Sequence, residues 1–578
     1  MSSTDTPAGR WPVRVWPGLV ILAAVAACWI VPPLVAPRTM FHFMAWFAAP
    51  VLGTVAAMIW WTFAARVRGP IRWLVPALVV VPAIALALTL HRGNEIVVAI
   101  FGLMAVLVVW VGWITLSVPL PAEVRRVGLV AGIVAVWGVG SAVAVDGMGG
   151  DMQPDFRWRW VKSDEEGFNA ERQAAPAPVT DAKPVEVGPG DWPGFRGASR
   201  DGLVTGVKLD PDWAARPPQE VWKKKVGPGW GSVSIAGGKL FTQEQRDTDY
   251  EAVVCYDAAT GVEVWEYKSP GRFTESIAGP GPRATPTVHG GKVYAQGATG
   301  KLARLDAATG KPEWVRDMVA DGGVLAPWGF AGSPLVTDGL VIVYANGGAG
   351  KGVIAYRADS GEVAWAAGKG KHGYSSPHPV TFGGVAQVLM LSDFGLESFR
   401  PADGAKLWEY AWTIPEVNRS TQPAVVSDTD VVIGTGVGND QGIRRLRVSK
   451  AGDGWDVKQV WSTRGMQPYF NDAVVVDKHY YGFDGDRFAC VDLETGKQVW
   501  KETSYGHGQV LGLPDQGLMI VQDVKGKVAL VRADAADLVE LAKVPALTGK
   551  TWNHPVVAHG RLYVRNGREM ACFRLPTR

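Results

Sequence analysis

Charged residues are almost missing from the first quarter of this sequence, and cysteines are scarce throughout. The chain has 578 residues but only four cysteines, and no Cys or His residues occur at the spacing of a metal site. The formal net charge is +3, and the longest basic run is Lys223–Lys225, so nothing indicates nucleic-acid binding. We interpret that lysine run as a solvated strand edge.

Five stretches lack Asp, Glu, Lys and Arg and are long enough to cross a bilayer, for which a helix needs about 17 to 25 residues. They are residues 15–35, 43–65, 73–90, 96–118 and 127–145. A signal peptide would end in a small-residue cleavage site, whereas here the first apolar stretch is followed by further spans. We therefore predict an all-α membrane domain of five transmembrane helices over residues 1–146. The missing charges argue against ion transport or a proton relay.

Arginines flank these spans unevenly. One side has Arg10, Arg14, Arg66, Arg68, Arg72, Arg125 and Arg126, and the other has only Arg38 and Arg92. Because positive residues stay in the cytoplasm, we predict a bacterial inner-membrane protein with a cytoplasmic N-terminus and a periplasmic C-terminal region. Four residues would then lie at the outer face, where they either bind a quinone headgroup or serve as anchors: Arg38, His42, His91 and Arg92.

Residues 147–190 show no apolar periodicity and are rich in Ala, Pro and acidic residues. Such a segment buries too little apolar surface to offset its ordering entropy. We therefore predict a periplasmic linker that contains at most one short helix.

A ten-residue pattern, exemplified by "VDLETGKQVW" at Val491–Trp500, occurs six times after residue 190. Its turn glycines are separated by 42 to 51 residues, a period typical of four-stranded propeller blades. In each copy an alternating run precedes a turn that contains a glycine and leads to a tryptophan, which predicts a hairpin. The six tryptophans are Trp265, Trp314, Trp365, Trp408, Trp461 and Trp500.

Eight such units can be counted, although the last lacks a fourth strand after "MACFRL" at Met570–Leu575. The stretch "EVWKKKV" at Glu220–Val226 precedes the first complete unit and has Trp222 in the expected place. We predict an all-β, eight-bladed propeller over residues 191–578, closed by pairing near Val221 and Ala571, since closure removes open sheet edges.

These repeats resemble the pyrroloquinoline quinone (PQQ) repeat proteins, whose blades carry an Ala-x-Asp-x-x-Thr-Gly-x-x-x-Trp motif. The resemblance implies that the tryptophans stack on neighbouring blades. In one branch, the quinoprotein dehydrogenases, the propeller binds PQQ and calcium, and membrane glucose dehydrogenase is similar in having five N-terminal helices that pass electrons to ubiquinone. The other branch includes the outer-membrane assembly factor of the Bam complex and is a scaffold without cofactor. "DWPGFRGASRDG" at Asp191–Gly202 is similar to the first propeller segment of many periplasmic PQQ-like proteins.

The loops that lead into the innermost strand of each blade, the lead-in loops, are rich in Trp, Tyr, His, Asn and Arg. A funnel of these side chains would stack a planar ring and bind its carboxylates, or would simply fill the channel. The candidate residues are Trp230, Arg283, Trp328, His372, Tyr374, Asn418, Arg419, Tyr469, Asn471, His507, Trp552, Asn553 and His554.

Asp472 is the only carboxylate in the short stretches that directly precede the innermost strands, and Glu275 lies in an adjacent loop. If the funnel is an active site, Asp472 is its general base or calcium ligand, yet calcium prefers six to eight oxygen ligands. We therefore expect a binding or scaffold module without redox chemistry, with no dedicated metal-ligand set, that is attached to the inner membrane and binds a periplasmic protein. The alternatives are a PQQ-dependent dehydrogenase that oxidises an alcohol or sugar and reduces ubiquinone, and a membrane-coupled sensor.

Overall fold

The computed structural model describes residues 13–35, 40–89, 95–149, 154–174, 183–247, 249–414, 419–436 and 440–578. The chain divides into two compact units. Unit 1 comprises Met1–Ser163 with Glu275–Gly279, and unit 2 comprises Asp164–Thr274 with Pro280–Arg578.

Unit 1 contains five long apolar helices. They are α1 (Trp16–Val35), α2 (Met40–Ile59), α3 (Ile71–Thr89), α4 (Glu95–Leu116) and α5 (Ala122–Ala142), and a π-helical turn, Trp60–Ala64, extends α2. Each is long and apolar enough to cross a membrane, which confirms the five predicted helices. Two antiparallel strands follow, β1 (Val143–Met148) and β2 (Pro154–Trp158).

Aromatic and basic side chains hold these helices together. Trp61 and Trp110 are fully buried, with ring centroids 5.4 Å apart. Helix α5 begins before Arg125, whose buried guanidinium donates to the Ile114 carbonyl at 3.1 Å and to Ser117 Oγ at 3.3 Å. The carbonyls in the last turn of a helix lack partners within it, so Arg125 satisfies one end of α4.

Unit 2 contains eight four-stranded antiparallel sheets, which confirms the predicted eight-bladed propeller. Blade 1 contains β4 (Ser234–Ala236), β5 (Lys239–Arg246), β6 (Tyr250–Asp257) and β7 (Glu263–Pro270). Blade 2 contains β10 (Thr287–His289), β11 (Lys292–Gln296), β12 (Lys301–Asp306) and β13 (Pro312–Asp317). Blade 3 contains β14 (Leu335–Thr337), β15 (Leu340–Tyr344), β16 (Val353–Arg357) and β17 (Val363–Ala367), and blade 4 contains β18 (His378–Phe382), β19 (Val385–Leu391), β20 (Gly395–Phe399) and β21 (Lys406–Ala411). Blade 5 contains β22 (Ala424–Val425), β23 (Asp430–Thr435), β24 (Gly442–Ala451) and β25 (Gly454–Thr463). Blade 6 contains β26 (Val474–Val476), β27 (His479–Asp484), β28 (Arg487–Asp492) and β29 (Gln498–Ser504). Blade 7 contains β30 (Gln509–Leu513), β31 (Leu518–Gln522), β32 (Lys527–Arg532) and β33 (Val539–Pro545). A small sheet pairs β8 (Thr274–Glu275) with β9 (Gly279–Pro280).

Blade 8 joins the two ends of the propeller. Its strands are β34 (Val556–Ala558), β35 (Arg561–Arg565), β36 (Glu569–Arg574) and β3 (Gln219–Lys225). Lys223 pairs with Ala571 and Trp222 with Cys572, which confirms the predicted closure.

The recurring turn explains why the pattern needs Asp, Gly and Trp together. In blade 2, Asp306 Oδ1 accepts hydrogen bonds from Thr309 N at 3.1 Å and Thr309 Oγ1 at 2.9 Å. Gly310 follows with φ of 71°, and a Cβ there would stand 2.5 Å from the Trp265 ring of blade 1. Glycine is therefore required both by the backbone and by the neighbouring indole.

Indole N–H groups link most neighbouring blades at the rim. Six donate to a backbone carbonyl of the next blade, namely Trp222 to Ala258, Trp265 to Ala307, Trp314 to Ala358, Trp365 to Pro401, Trp461 to Leu493 and Trp500 to Asp534. Trp408 instead donates to Gln387 Oε1 in its own blade. The fourth strand of blade 7 has no tryptophan.

The stretch predicted as a linker contains β2 and a further helix, α6 (Asp164–Ala174). Helix α6 contacts blade 1 through Arg172, which forms an ion pair of 2.8 Å with Asp247, and through Phe168, which is buried beneath Arg246. Further along, Val185 packs in the apolar core between blades 1 and 2. Parts of this stretch therefore belong to the propeller unit.

Candidate functional site

The lead-in loops all lie at one end of the propeller, which we call the lead-in face. Because strand direction alternates within a blade, the turn between its second and third strands lies at this same end. The first-to-second and third-to-fourth turns lie at the opposite end.

Four of the predicted residues form one aromatic wall on this face, together with Phe470 and Lys550, neither of which was among the predicted residues. The wall extends over the loops that lead into blades 6, 7, 8 and 1, and its other members are Trp230, Tyr469, His507 and Trp552. Trp230 and Trp552 have ring centroids 5.2 Å apart, and Phe470 lies 5.0 Å from Trp552 and 5.7 Å from His507.

A cation lies over the wall. Lys550 Nζ is 5.0 Å from the Trp230 ring and 4.7 Å from the Trp552 ring, within the range of cation–π attraction. The indole N–H groups of Trp230 and Trp552 are shielded from solvent and have no acceptor among the described residues. A shielded donor without an acceptor carries an energetic cost, so the wall combines two shielded indole donors with one nearby cation.

Trp328 and Tyr374 form a separate pair in the loops before blades 3 and 4. Their ring centroids are 5.2 Å apart, and Trp328 N donates to the Tyr374 hydroxyl at 3.2 Å. His372 is half-buried, and its backbone N–H donates to Asp393. Arg283 lies over the Phe273 ring at 4.9 Å and donates to the Gly281 carbonyl.

Three other predicted residues hydrogen-bond backbone carbonyls. Asn471 donates to Gly508, and Asn553 donates to Gly229 and Gly231, so each links two blades. Arg419 is fully buried and donates to the carbonyls of Ser392 and Trp412. Asn418 lies outside the described residues.

Asp472 is buried, and each of its carboxylate oxygens has a partner. Oδ1 accepts from Gln422 N at 2.7 Å, and Oδ2 lies 3.1 Å from His554 Nε2 and 3.5 Å from Arg196 Nη1. Burial alone would raise the pKa of Asp472, but the Arg196 charge and the His554 hydrogen bond outweigh it and hold that pKa below its usual range. Burial lowers the pKa of His554, so at neutral pH a neutral imidazole donates to an ionised carboxylate.

Arg196 belongs to a segment, Trp192–Val204, that lies along the innermost strands; we call it the channel segment. It pairs with Ile235 of blade 1 and with Gly512 of blade 7. Its Arg200 is buried and donates to the carbonyls of Ser333, Pro334 and Pro377 at the first strands of blades 3 and 4. Burial lowers the pKa of Arg200 to about 9, which leaves it charged at neutral pH.

The sequence contained partial signals for the residues that its interpretation missed. Phe470 lies inside the lead-in loop that contains Tyr469, and Lys550 is two residues before Trp552. Arg196 and Arg200 lie in "DWPGFRGASRDG", a stretch too rich in Gly and Arg for a strand. Neither arginine has a counterpart in the six repeats, so periodicity could not assign them a place.

The residues present fit a planar anionic ring better than they fit calcium. Aromatic faces, two indole donors and the Lys550 ammonium suit such a ring, whereas calcium needs several free oxygen ligands. The charged partner of Asp472 among the described residues is the Arg196 guanidinium, and both carboxylate oxygens are engaged. Among the described residues no group of three or more His, Cys, Asp and Glu is placed to bind a metal.

A family model described as "Outer membrane protein assembly factor BamB" matches residues 213–326 and 324–502. The chain belongs to this family of PQQ-like propellers. The family explains the repeated blades, and its match ends before blades 7 and 8, where the pattern is degenerate.

Proteins of two kinds are similar to parts of the chain. A quinohemoprotein alcohol dehydrogenase, ADH IIB, from Pseudomonas putida is 35% identical over 20% of this chain and 17% of its own length. An alcohol dehydrogenase (quinone) subunit from Gluconacetobacter polyoxogenes is 28% identical over 47% and 34%. Outer membrane protein assembly factor BamB from Shewanella oneidensis is 23% identical over 62% and 89%. The chain thus spans at most about a third of the two dehydrogenases.

Proposed function

We propose that this protein is a membrane-anchored periplasmic propeller that binds a partner at its lead-in face without redox chemistry. The observation that supports this most directly is the state of Asp472. A general base needs a free lone pair directed at the substrate, and this carboxylate is buried against Gln422, His554 and Arg196. A pKa held low also makes Asp472 a weaker base.

The binding surface in this proposal is the aromatic wall. Its half-buried aromatic rings, shielded indole donors and Lys550 suit a ligand that combines an apolar or aromatic group with a negative charge. Large aromatic side chains around a cation are also typical of residues that dominate protein interfaces. An acidic segment of a periplasmic protein that carries an aromatic side chain meets these requirements.

A PQQ titration of the purified full-length protein tests the absence of redox chemistry. We expect no saturable binding of PQQ in the presence of calcium and no dye reduction with ethanol or glucose. Stoichiometric PQQ binding would overturn the proposal, and weakening of that binding by Trp552→Ala but not by Trp328→Ala would place the cofactor on the aromatic wall.

Photo-crosslinking in cells tests the binding surface. A photoreactive phenylalanine at Tyr469 should give one defined adduct that Lys550→Glu weakens, because that change reverses the charge over the wall. The same probe at Val363, on the outer strand of blade 3, is the control and should give none. Equal labelling at both positions would contradict a specific site.

The alternative is a PQQ-dependent dehydrogenase that passes electrons to membrane ubiquinone. The names of the quinone-linked relatives and the fit of the wall to a planar anionic ring favour it. In this alternative the wall and Lys550 would hold the ring, PQQ would supply hydride-accepting chemistry, and the base would be a residue other than the engaged Asp472.

We further propose that the N-terminus is cytoplasmic and that the propeller lies in the periplasm of a bacterium with the five helices in its inner membrane. The support is the arginine distribution, with seven on one side and two on the other. A reporter that is active only in the periplasm should be active when fused after Gly150 and inactive after Arg68. The reverse pattern would overturn this orientation.

A further inference from the structure

Exposed large apolar side chains of the described propeller residues are mostly single and lie on outer strands. The loop between β13 and β14 is different, because Val319, Val324 and Leu325 are 46%, 53% and 47% exposed within seven residues. Pro327 is also exposed and Trp328 is half-buried. We call Val319–Trp328 the apolar loop; it leads into blade 3 and therefore lies on the lead-in face.

Hydrogen bonds fix the backbone of this loop. Gly323 N donates to the Met318 carbonyl at 2.7 Å, and Val324 N donates to the Ala345 carbonyl of blade 3 at 2.8 Å. After the apolar residues, Phe330 N donates to the Ala298 carbonyl of blade 2 at 2.9 Å. The exposed side chains are thus held outward by an ordered backbone, and exposure of this kind marks an interaction site more often than chance.

The charges around the apolar loop are biased toward cations. Its acidic neighbours are paired, Asp317 with Lys301 at 2.8 Å and Asp321 with Arg316 at 2.6 Å. The Lys351 side chain lies against Gly322 of the apolar loop. The Lys371 side chain lies against Gly348, in the turn between β15 and β16. Both lysines are exposed, and neither forms an ion pair within the part of the chain that the structure describes.

We propose that the apolar loop inserts into the headgroup region of a bilayer that contains anionic lipid. Aliphatic side chains beside an indole and unpaired lysines are the chemistry of interfacial binding, because the apolar groups enter the acyl boundary while the ammonium groups contact lipid phosphate. The same chain supplies five helices able to cross a membrane, so the lipid surface is available.

The docking of α6 favours lipid over a soluble partner. Its Glu165 pairs with Arg272 and its Asp164 with Arg568, and both arginines lie in loops or turns of the lead-in face. Helix α5 ends at Ala142 and α6 begins at Asp164, so 21 residues (143–163) separate the two helices in the sequence. In sequence, the propeller therefore follows a membrane-capable helix closely, which favours lipid as the occupant.

A fluorescent probe in the full-length protein tests this proposal. Cys28 is exposed and the other three cysteines are buried, so Cys28→Ser with Leu325→Cys allows labelling of the loop with an environment-sensitive nitrobenzoxadiazole dye. In nanodiscs of phosphatidylcholine and phosphatidylglycerol, emission should shift to the blue and be quenched several-fold more by spin-labelled lipid than at Val262→Cys. Val262 is somewhat more exposed than Leu325, at 56% against 47%, but lies in a turn at the opposite end of the propeller.

Two further arms make the result decisive. Val319→Cys with the same dye should repeat the quenching, which excludes an effect of replacing Leu325 itself. Lys351→Gln with Lys371→Gln, or phosphatidylcholine alone, should reduce the quenching. Absence of quenching at both loop positions would overturn the proposal, and so would a blue shift without quenching, because that result would show that protein covers the loop.

Discussion

The rim and the channel of this propeller connect the same blades by opposite means. At the rim, an indole of one blade donates to a backbone carbonyl of the next at six seams, and at five of them it also covers the turn glycine of that next blade. In the channel, Arg196 and Arg200 of a single segment satisfy carbonyls and one carboxylate from several blades. The rim contact recurs from blade to blade, so one short sequence pattern can be repeated for it. The channel lies on the axis that all blades share, so it accepts only one segment.

Loss of a whole indole at the rim should have the largest effect on stability. Trp265→Ala removes a buried ring that also shields Gly310, and such substitutions cost about 3 to 5 kcal/mol. Thermal unfolding of the full-length protein should show this loss. Val262→Ala, an exposed change in the same hairpin, is the control and should leave the unfolding temperature nearly unchanged.

In the channel, loss of one charge should have the next largest effect. Asp472→Asn keeps the side-chain shape but leaves the Arg196 guanidinium buried without its carboxylate, which typically costs about 3 kcal/mol or more. Asp403→Asn breaks an exposed pair with Arg400 and should cost about 1 kcal/mol or less. Equal losses in the two variants would show that Asp472 is not a structural partner of Arg196.

Channel stability should also depend on pH through His378. Burial, with help from the charges of Arg200 and Arg196, lowers the pKa of His378 to about 3, whereas Asp472 acts in the opposite direction. Below the unfolded pKa of about 6.5 the unfolded chain binds a proton that the folded state excludes, so stability falls by up to about 1.4 kcal/mol per pH unit toward pH 3. His378→Gln should flatten this part of the unfolding profile, and the exposed His289→Gln should not.

The smallest effect should be the difference between two Trp→Phe changes, each of which removes an indole N–H together with part of the buried ring. Trp365→Phe also leaves the Pro401 carbonyl without its donor, which adds about 1 kcal/mol to its cost. Trp408→Phe should cost less, because Gln387 Oε1 keeps its bond from Ser398 at 2.6 Å. Chemical denaturation of both variants measures the difference, and a larger loss for Trp408→Phe would contradict this account.

Periodicity made the rim predictable from sequence and left the channel unpredicted. The turn pattern located the blades, and the orphan strands at Val221 and Ala571 located the closure, because each needed a partner that only the other could supply. Asp472 was singled out as the carboxylate next to an innermost strand, but its partner Arg196 is 276 positions earlier in the chain. Pairing across such a distance depends on the folded ring, so no local pattern indicates it.

Phe470 and Lys550 show a milder form of the same problem. Each is next to a residue that composition had singled out, and their packing on Trp552 depends on how the loops of blades 6 and 8 approach each other. A pattern within one loop does not encode that approach.

The closing blade also determines the order of events during synthesis. Strand β3 ends at Lys225, and its partner β36 emerges roughly 350 residues later, a delay of about 20 to 70 s at ordinary translation rates. Throughout that interval the backbone N–H and C=O groups of β3 lack their partner strand β36, so they can pair with another strand instead. Lys223, Lys224 and Lys225 give it three adjacent charges, and such residues keep unpaired strand edges from joining other chains. The lysine run thus disfavours wrong pairing of β3 during synthesis, before the ring of blades has closed.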